Sequence, residues 1–492
     1  MYRLLILILL WGNLAQSQPE VKITAEAQKS YELILSLRFT EADVLMNQAK
    51  AVDPNNLFYV YLDNYRDFLS CIISEDAELF SRLEKNKKNR IEQIQTLSNQ
   101  NPYKEYLIGN INLQWAVARV KFGEYFTSAL EFNRAYRGIN QNAETFPDFF
   151  PNQVTLGVIH AMVGVVPDSY QWLLDIINMS GTVEQGRNEL MEALVRSQNS
   201  QNFSMLQNEI QYYLGFIDLN LYSDNLQTEH WLNSLQQSDP NNLLVKYLVT
   251  NILMKTGNND LALKTVLSVS DTIAYFPFYY LNYLTAECQL RQLNTSLAKK
   301  SYHQFTAHFQ GKNYIKDAYR KLAWCQLLEG DTVGYFQMLD SVDRHGYSDV
   351  GIDKEAQSEA ELNQIPNLHL LKSRLLFDGG YYTQSDQQLD QLSNVPLSSE
   401  EIIEKNYRRA RIAQKTGQQE KTVRYFLATI ELGQNSPNYF AANSALMLGE
   451  IYEAAGDIEA AKGMYNLCLD MDFTTYRNSI RGKAKQRLSR LN

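Results

Sequence analysis

Six histidines, four cysteines and 55 acidic side chains are the groups in this 492-residue chain most able to do chemistry. His303 and His308 are the closest histidine pair, but at a spacing of five they do not share the one-turn face on which a helix holds a metal. No HExxH pattern surrounds them. His160, His230, His345 and His369 stand apart from one another and are expected as core or surface residues. Acidic neighbours such as Glu400 and Glu401, or Asp470 and Asp472, fit helix caps and solvated faces rather than a general acid and its base. The chain has no GxSxG elbow, phosphate-cradling loop or dinucleotide fingerprint. Cys71, Cys288, Cys325 and Cys468 lie far apart in apolar helical contexts, without the close spacing of a stapled fold or a zinc site, and are expected as buried free thiols. These residues predict no catalytic site, no metal and no cofactor.

The 31 tyrosines and 21 phenylalanines offer a different chemistry, because exposed rings beside Asn and Gln can stack on and hydrogen-bond to a peptide or a sugar. Most sit at helical core spacing. Tyr279, Tyr280, Tyr283 and Tyr319 are the candidates for partner binding, since several of them cannot all face one side of a helix.

The elements that must carry these residues are helical hairpins. From Ala442 to Asp472, Leu448, Gly449 and Tyr452 mark a first helix, Gly456 a turn, and Ala461, Tyr465 and Cys468 a second. Gly449 and Ala461 fall where two helices approach closely, and the tyrosines fill the space beside them. The pattern recurs around Trp115, Gly123 and Ala135, then around Gly257, Gly330, Gly380 and Gly417. Turn glycines lie 37 residues apart from 380 to 417 and 39 apart from 417 to 456. That period resembles the tetratricopeptide repeat, and it predicts an all-α fold, an α-solenoid of such hairpins in which each buries its face on its neighbours. Asp53-Pro54-Asn55-Asn56 and Asp239-Pro240-Asn241-Asn242 mark the same break twice. The charged run 84–90 is expected as a solvated helix face, and 347–366 as a loop or lead-in helix.

Residues 1–17 have the three parts of a secretory signal: Arg3, an apolar run from Leu4 to Trp11, and Ala15-Gln16-Ser17 before a cut. No cysteine near that cut would carry a lipid. The expected product is exported, periplasmic or secreted. Its organisation is a helical region over 18–242, with an apolar insertion at about 147–181, then a repeat array over 243–492 closed by a basic capping helix. Without residues 1–17 the chain holds 45 basic and 55 acidic groups, a balance that repels phosphate backbones and excludes general nucleic-acid binding. The run from Val154 to Val166 is too short to span a bilayer, so it is a buried helix or an interfacial one, which leaves peripheral membrane contact through 154–166 open.

The block Asn313 to Asp331, NYIKDAYRKLAWCQLLEGD, together with the apolar insertion ending in Ser180-Gly181, resembles the inclusion-body-clearance tetratricopeptide family and its exported bacterial relatives. The resemblance implies an N-terminal helical region, a hydrophobic segment broken by Gly and Pro, a Ser-Gly step into the charged helix of Glu184 to Glu192, and a repeat array. It implies a scaffold or adaptor with a protein partner and no catalytic residue. An envelope-associated module binding a peptide or glycan is the alternative.

Overall fold

A computed structural model describes residues 18–491 apart from 167–171, 173, 175–178, 201, 222–224 and 237–238. The expected signal segment 1–17 and the expected break at Pro167 lie outside the described residues. The described residues are all-α, with one isolated bridge between Glu20 and Asn56. The chain divides into two compact units, residues 1–70 with 78–207, and residues 71–77 with 208–492.

In the first unit the helices are α1 (Ala25–Leu35), α2 (Phe39–Val52), α3 (Phe58–Ser74), α4 (Ala77–Leu83), α5 (Asn86–Gln95), α6 (Tyr103–Lys121), α7 (Tyr125–Thr145), α8 (Pro151–Val163) and α9 (Val183–Gln198). Helices α1 with α2, α6 with α7, and α8 with α9 are packed hairpins. The apolar insertion supplies α8, whose Val154, Ile159, Ala161 and Val163 are buried. Gly157 and Gly186 let α8 and α9 touch through their backbones. Thr182 caps α9 by accepting from Gln185 N at 3.0 Å, but the Gln185 side chain turns to Glu189 and His160, so only half of a capping box forms.

The charged run 84–90 differs from the solvated face expected of it. Lys87 and Arg90, three apart on α5, turn inward, where Lys87 Nζ lies 2.7 Å from Glu131 and Arg90 NH2 lies 2.6 Å from Asp67. Arg90 joins a buried polar cluster in which Trp115 Nε1 donates to Asn64 Oδ1 at 2.9 Å and Asn64 donates to Gln114 at 2.7 Å. Neighbouring residues of the run, Lys85, Lys88 and Asn89, are exposed. Helical periodicity, not charge, decides which side each residue takes.

In the second unit, the hairpins that follow α10 (Leu206–Asn220) and α11 (Asn225–Gln236) are α12 (Leu243–Lys255) with α13 (Asn259–Leu267), α14 (Tyr280–Arg291) with α15 (Thr295–His308), and α16 (Ile315–Leu328) with α17 (Thr332–Arg344). A lone helix, α18 (Gly351–Leu362), follows. Then come α19 (Leu368–Asp378) with α20 (Tyr382–Asp390), α21 (Ser399–Lys415) with α22 (Gln419–Gly433), α23 (Phe440–Ala454) with α24 (Ile458–Asp470), and the basic capping helix α25 (Arg477–Leu491). The glycines expected at turns, Gly123, Gly257, Gly330, Gly380, Gly417 and Gly456, all hold positive φ. Two turns do the same with leucine, Leu37 and Leu293, each at φ 60°. In the Asp-Pro-Asn-Asn breaks the last Asn caps the next helix, Asn56 Oδ1 accepting from Phe58 N at 3.2 Å and Asn242 Oδ1 from Val245 N at 3.1 Å.

The first helices α14 and α16 are buried almost all round and the second helix α15 along one stripe, while α19 and α21 are less covered, with five of eleven and six of seventeen residues buried. Nine of the twelve residues of α14 and eleven of the fourteen of α16 are buried, against four of the fourteen in α15. The array curls tightly enough for α14 to meet α19, where Arg291 NH1 donates to the carbonyls of Met254 and Asp378, each at 3.1 Å. The turns at Gly257 and Gly380 come so close that a Cβ on Gly380 would collide with the Gly257 carbonyl. Polar side chains on the first helices are therefore forced into the interior of this unit. That is where the candidate site lies.

A cationic, aromatic cavity in the second unit

Arg374 and Arg411 occupy one repeat position, six residues before Gly380 and six before Gly417. The same offset from Leu293, Gly330 and Gly456 gives Glu287, Trp324 and Glu450. This column runs along the first helices, and its geometry is set by their caps. Asn367 caps α19 by accepting from His369 N at 3.1 Å, and Ser398 with Glu401 closes α21 with a full capping box.

Arg374, Phe377, Asp378, Tyr407, Arg408, Arg411, Tyr439 and Tyr476 line a cavity of about 210 Å³. Its three arginines are in different states. Arg408 is buried and its guanidinium is taken by Glu404, at 2.7 Å from Nε. Arg411 makes no direct ion pair among the described residues, although Asp378 and Glu450 are near enough to act on it: it lies 5.3 Å from the Phe377 ring centre, donates to Tyr407 Oη at 3.1 Å, and keeps a buried Nε without a hydrogen bond. Arg374 has neither an ion pair nor a hydrogen bond among the described residues, and rests on the Trp324 ring at 5.1 Å. That ring is held by its own Nε1, which donates to Glu359 at 2.6 Å.

Rings close the other side. Tyr439 stands edge-on to Tyr476 at 4.9 Å and to Tyr407 at 5.8 Å. Tyr476 carries φ 57°, a left-handed conformation uncommon outside glycine and asparagine, and its hydroxyl is tied to Glu355. Burial pushes the Tyr439 and Tyr476 hydroxyls well above their usual value, so both are neutral at pH 7. The cavity thus offers cations and neutral hydroxyls, with Asp378 as its one acidic group.

Behind the cavity the interior charges are matched. Asp317 is fully buried against Arg320, which donates to it from Nε at 3.0 Å, and Tyr283 Oη donates to its other oxygen at 2.5 Å. Burial opposes ionisation of Asp317, but Arg320 and Lys321 beside it prevail and hold its carboxyl below the usual range. The segment expected as a loop or lead-in helix supplies α18, and its Asp353 accepts from the backbone N–H of Tyr314 at 2.7 Å and of Asp317 at 3.0 Å, capping α16 from outside its own hairpin. Burial pushes the Asp353 carboxyl up to about 6 in spite of those donors. A folded-state value above the unfolded one, about 4, favours the folded chain below pH 4 and loses that contribution as pH rises through 6. The expected result is that wild type, relative to Asp353→Asn, loses up to about 2 kcal/mol between pH 4 and pH 6.5. Urea unfolding at both pH values checks it, and parallel pH dependence in the two proteins would refute it.

The four tyrosines named from the sequence are placed as follows. Tyr283 is buried beside Tyr302, Phe305 and Tyr314, and Tyr280 stacks on it at 5.2 Å. Tyr279 stacks on His308 at 5.2 Å and Tyr319 on His345 at 4.7 Å. None of the four lines the cavity. Residue type alone does not single out the cavity residues; the signal that does is register, since counting back from the turn glycines aligns Arg374 with Arg411. Among the described residues no group of three His, Cys, Asp or Glu side chains could hold a metal ion, and no helix is long and apolar enough to cross a membrane. The four cysteines are free and buried, and burial pushes the thiols of Cys288, Cys325 and Cys468 up to about 12.

Hairpins with turn glycines, small residues at the close approaches and a polar capping helix make this chain an α-solenoid of tetratricopeptide-like repeats. No family model and no curated protein matches it. Among solved structures it is similar to the crystal structure of yeast Tom70, at 12% identity over 93% of this chain and 96% of that one, with a TM-score of 0.23. It is also similar to a circular tandem repeat protein with a novel repeat topology, at 13% identity over 94% of each chain, with a TM-score of 0.14. Scores this low transfer neither the arrangement nor the role of either protein.

Proposed function

We propose that this chain is a non-enzymatic scaffold that binds a protein partner through the first-helix face of its second unit. The observation that carries the reading is the cavity in which Arg374 and Arg411 rest on rings and, among the described residues, make no direct ion pair or hydrogen bond with a carboxylate, although Asp378 acts on both. Guanidinium groups that make no direct ion pair keep N–H donors for an acidic group of a partner. The site holds no nucleophile with its base, so binding, not turnover, is the chemistry it offers.

Export is part of the proposal, on the strength of Arg3, the apolar run after it and Ala15-Gln16-Ser17. So is kinship with the inclusion-body-clearance tetratricopeptide branch, which rests on the Asn313 to Asp331 block and the Ser180-Gly181 step. Tyr279 and Tyr319, only partly covered on their histidines, are secondary candidates for partner contact. Membrane contact through residues 154–166 is the weaker reading, since most of that run packs inside the first unit, although Val165 and Trp172 are exposed.

The test is affinity capture from the envelope fraction with the chain from Gln18, beside an Arg374→Glu, Arg411→Glu double variant of matched helicity. A defined protein retained by wild type and lost at least tenfold by the variant is expected. Equal retention by both, or a turnover that tracks the wild-type chain, would overturn the reading.

A further inference from the structure

We propose that the α6–α7 turn of the first unit docks on an anionic lipid surface, with Phe126 and Leu130 entering the bilayer interface and Arg134 and Arg137 meeting the headgroups. This goes beyond the scaffold reading and does not depend on the cavity.

Gly123, at φ 80°, reverses the chain so that the last turn of α6 and the first turns of α7 share one end of the hairpin. That end exposes Val120, Tyr125, Phe126 and Leu130, with Phe126 64% exposed, while α7 buries Ser128, Ala135 and Ile139 on its other side. Single exposed apolar residues are ordinary, but four around one turn make a patch of the kind that meets a partner or a membrane. Most of the run 154–166 is buried, whereas this end of the preceding hairpin is open. Phe126, Leu130, Arg134 and Arg137 are spaced to share one face of α7, and all four are exposed. Along that stripe the apolar pair comes first, and both guanidiniums follow within about 16 Å of Phe126. A helix that dips its first turns into the acyl boundary keeps such cations among the phosphates, and the amphipathic ring of Tyr125 suits the same depth.

Charge selects the kind of surface. The whole chain carries −9, yet residues 78–137 hold ten basic and six acidic groups. Asp67 neutralises Arg90, which leaves an excess of three positive charges. The acids nearest the turn, Glu84, Glu124 and Glu131, are bound by Arg119 and Lys87, and Glu92 lies 3.8 Å from Lys88. Glu78 and Glu105 complete the six, and Glu144, at the far end of α7, is two turns beyond Arg137. Arg134 and Arg137 make no ion pair or hydrogen bond among the described residues. Arg82, Lys85 and Lys88 are exposed on and between α4 and α5, which reach the turn through the stack of Phe80 on Phe122 at 4.2 Å. The negative remainder of the chain is felt little beyond a screening length of about 8–10 Å, so the local excess sets the attraction. Acyl chains take the exposed rings and lipid phosphates take the cations; a phosphate backbone alone would leave Phe126 in water.

The test is co-sedimentation of the chain from Gln18 with vesicles of phosphatidylethanolamine containing one-third phosphatidylglycerol, beside neutral phosphatidylcholine vesicles. Saturable binding to the anionic vesicles is expected, at least tenfold tighter than to the neutral ones. Phe126→Ser with Leu130→Ser should weaken it at least tenfold, and Arg134→Glu with Arg137→Glu by as much. Raising salt from about 0.1 M to about 1 M, which shortens the screening length from about 10 to about 3 Å, should weaken it too. The four side chains are exposed, so both double variants should melt within a few degrees of wild type. No vesicle binding by wild type, equal binding to both vesicles, or unchanged binding in either double variant would overturn the proposal. Loss of binding only through Val165→Ser with Trp172→Ser would move the contact to the apolar insertion and overturn it as well. A protein captured through Phe126 by a chain that binds no vesicles would make this end a protein interface instead. The scaffold test reads Arg374 and Arg411, so failure of one reading leaves the other standing.

Discussion

Asp317→Ala is expected to lower the stability of the second unit by about 3 kcal/mol, the lower part of the range for removing one member of a buried pair. The substitution leaves Arg320, 3% exposed, with its nearest remaining carboxylates at 3.7 Å (Glu359) and 3.9 Å (Glu355), too far for good hydrogen bonds. It also removes the acceptor of Tyr283 Oη. Replacing both partners, Asp317→Leu with Arg320→Met, should recover more than half of the loss, because no charge is then stranded. The readout is urea unfolding of full-length chain at pH 7, with far-ultraviolet circular dichroism following the helices. A single substitution that costs under about 1 kcal/mol would mean that water or a shift of Glu355 and Glu359 satisfies Arg320, and the buried pair would lose its structural role. Asp317 and Asp353 also respond oppositely to acid. The depressed carboxyl of Asp317 stabilises the fold above the usual carboxylate range and loses that contribution as pH falls through its own value, whereas Asp353 contributes below pH 4.

The second large effect separates two glycines that composition treats alike. Gly186→Ala should destabilise the first unit by about 2 to 3 kcal/mol, while Gly463→Ala should stabilise the second by up to about 1 kcal/mol. Both lie inside helices, where alanine is intrinsically favoured. A Cβ on Gly186 would collide with the Gly157 carbonyl oxygen and lie 2.5 Å from Ala161 N and 2.8 Å from Ala161 Cβ, so α8 and α9 must separate to admit it. Around Gly463 nothing lies within 4 Å. Backbone cannot retreat as a flexible side chain can, so the clash outweighs propensity in the first case and propensity acts alone in the second. Thermal midpoints of the two variants check this. A neutral or stabilising Gly186→Ala would show that α8 does not sit tightly on α9, and would return 154–166 to the interface reading.

Much of this architecture was legible because close helix packing demands particular residue sizes. Gly449 lies against the Tyr465 ring, with a Cβ only 2.6 Å from Cδ1, and Ala461 and Tyr465 are wholly buried, as the spacing around Gly456 required. Hairpins whose turns use Leu37 or Leu293 were harder to see, since nothing in a leucine announces positive φ. The inward turn of Lys87 and Arg90 was hidden for a related reason: their partners Glu131 and Asp67 are 44 and 23 residues away, and a charged run carries no mark of which members will find counter-charges. The cavity lay between these cases. Its arginines keep the repeat register, but the register alone does not say which face of each first helix turns inward, and the lone helix α18 stretches the step from Trp324 to Arg374 to 50 residues.

The meeting of the Gly257 and Gly380 turns, with Asn259 Nδ2 on Tyr381 Oη at 3.2 Å, joins segments more than 120 residues apart in the second unit. In an open linear array each hairpin answers only to its neighbours, and the ends can fray one hairpin at a time. Here the long-range clasp raises the contact order of an otherwise local fold and ties α12 and α13 to α19 and α20. Loss of one partner in the clasp is felt at the other, so these hairpins are expected to melt as one cooperative block that includes α19, the helix that carries Arg374.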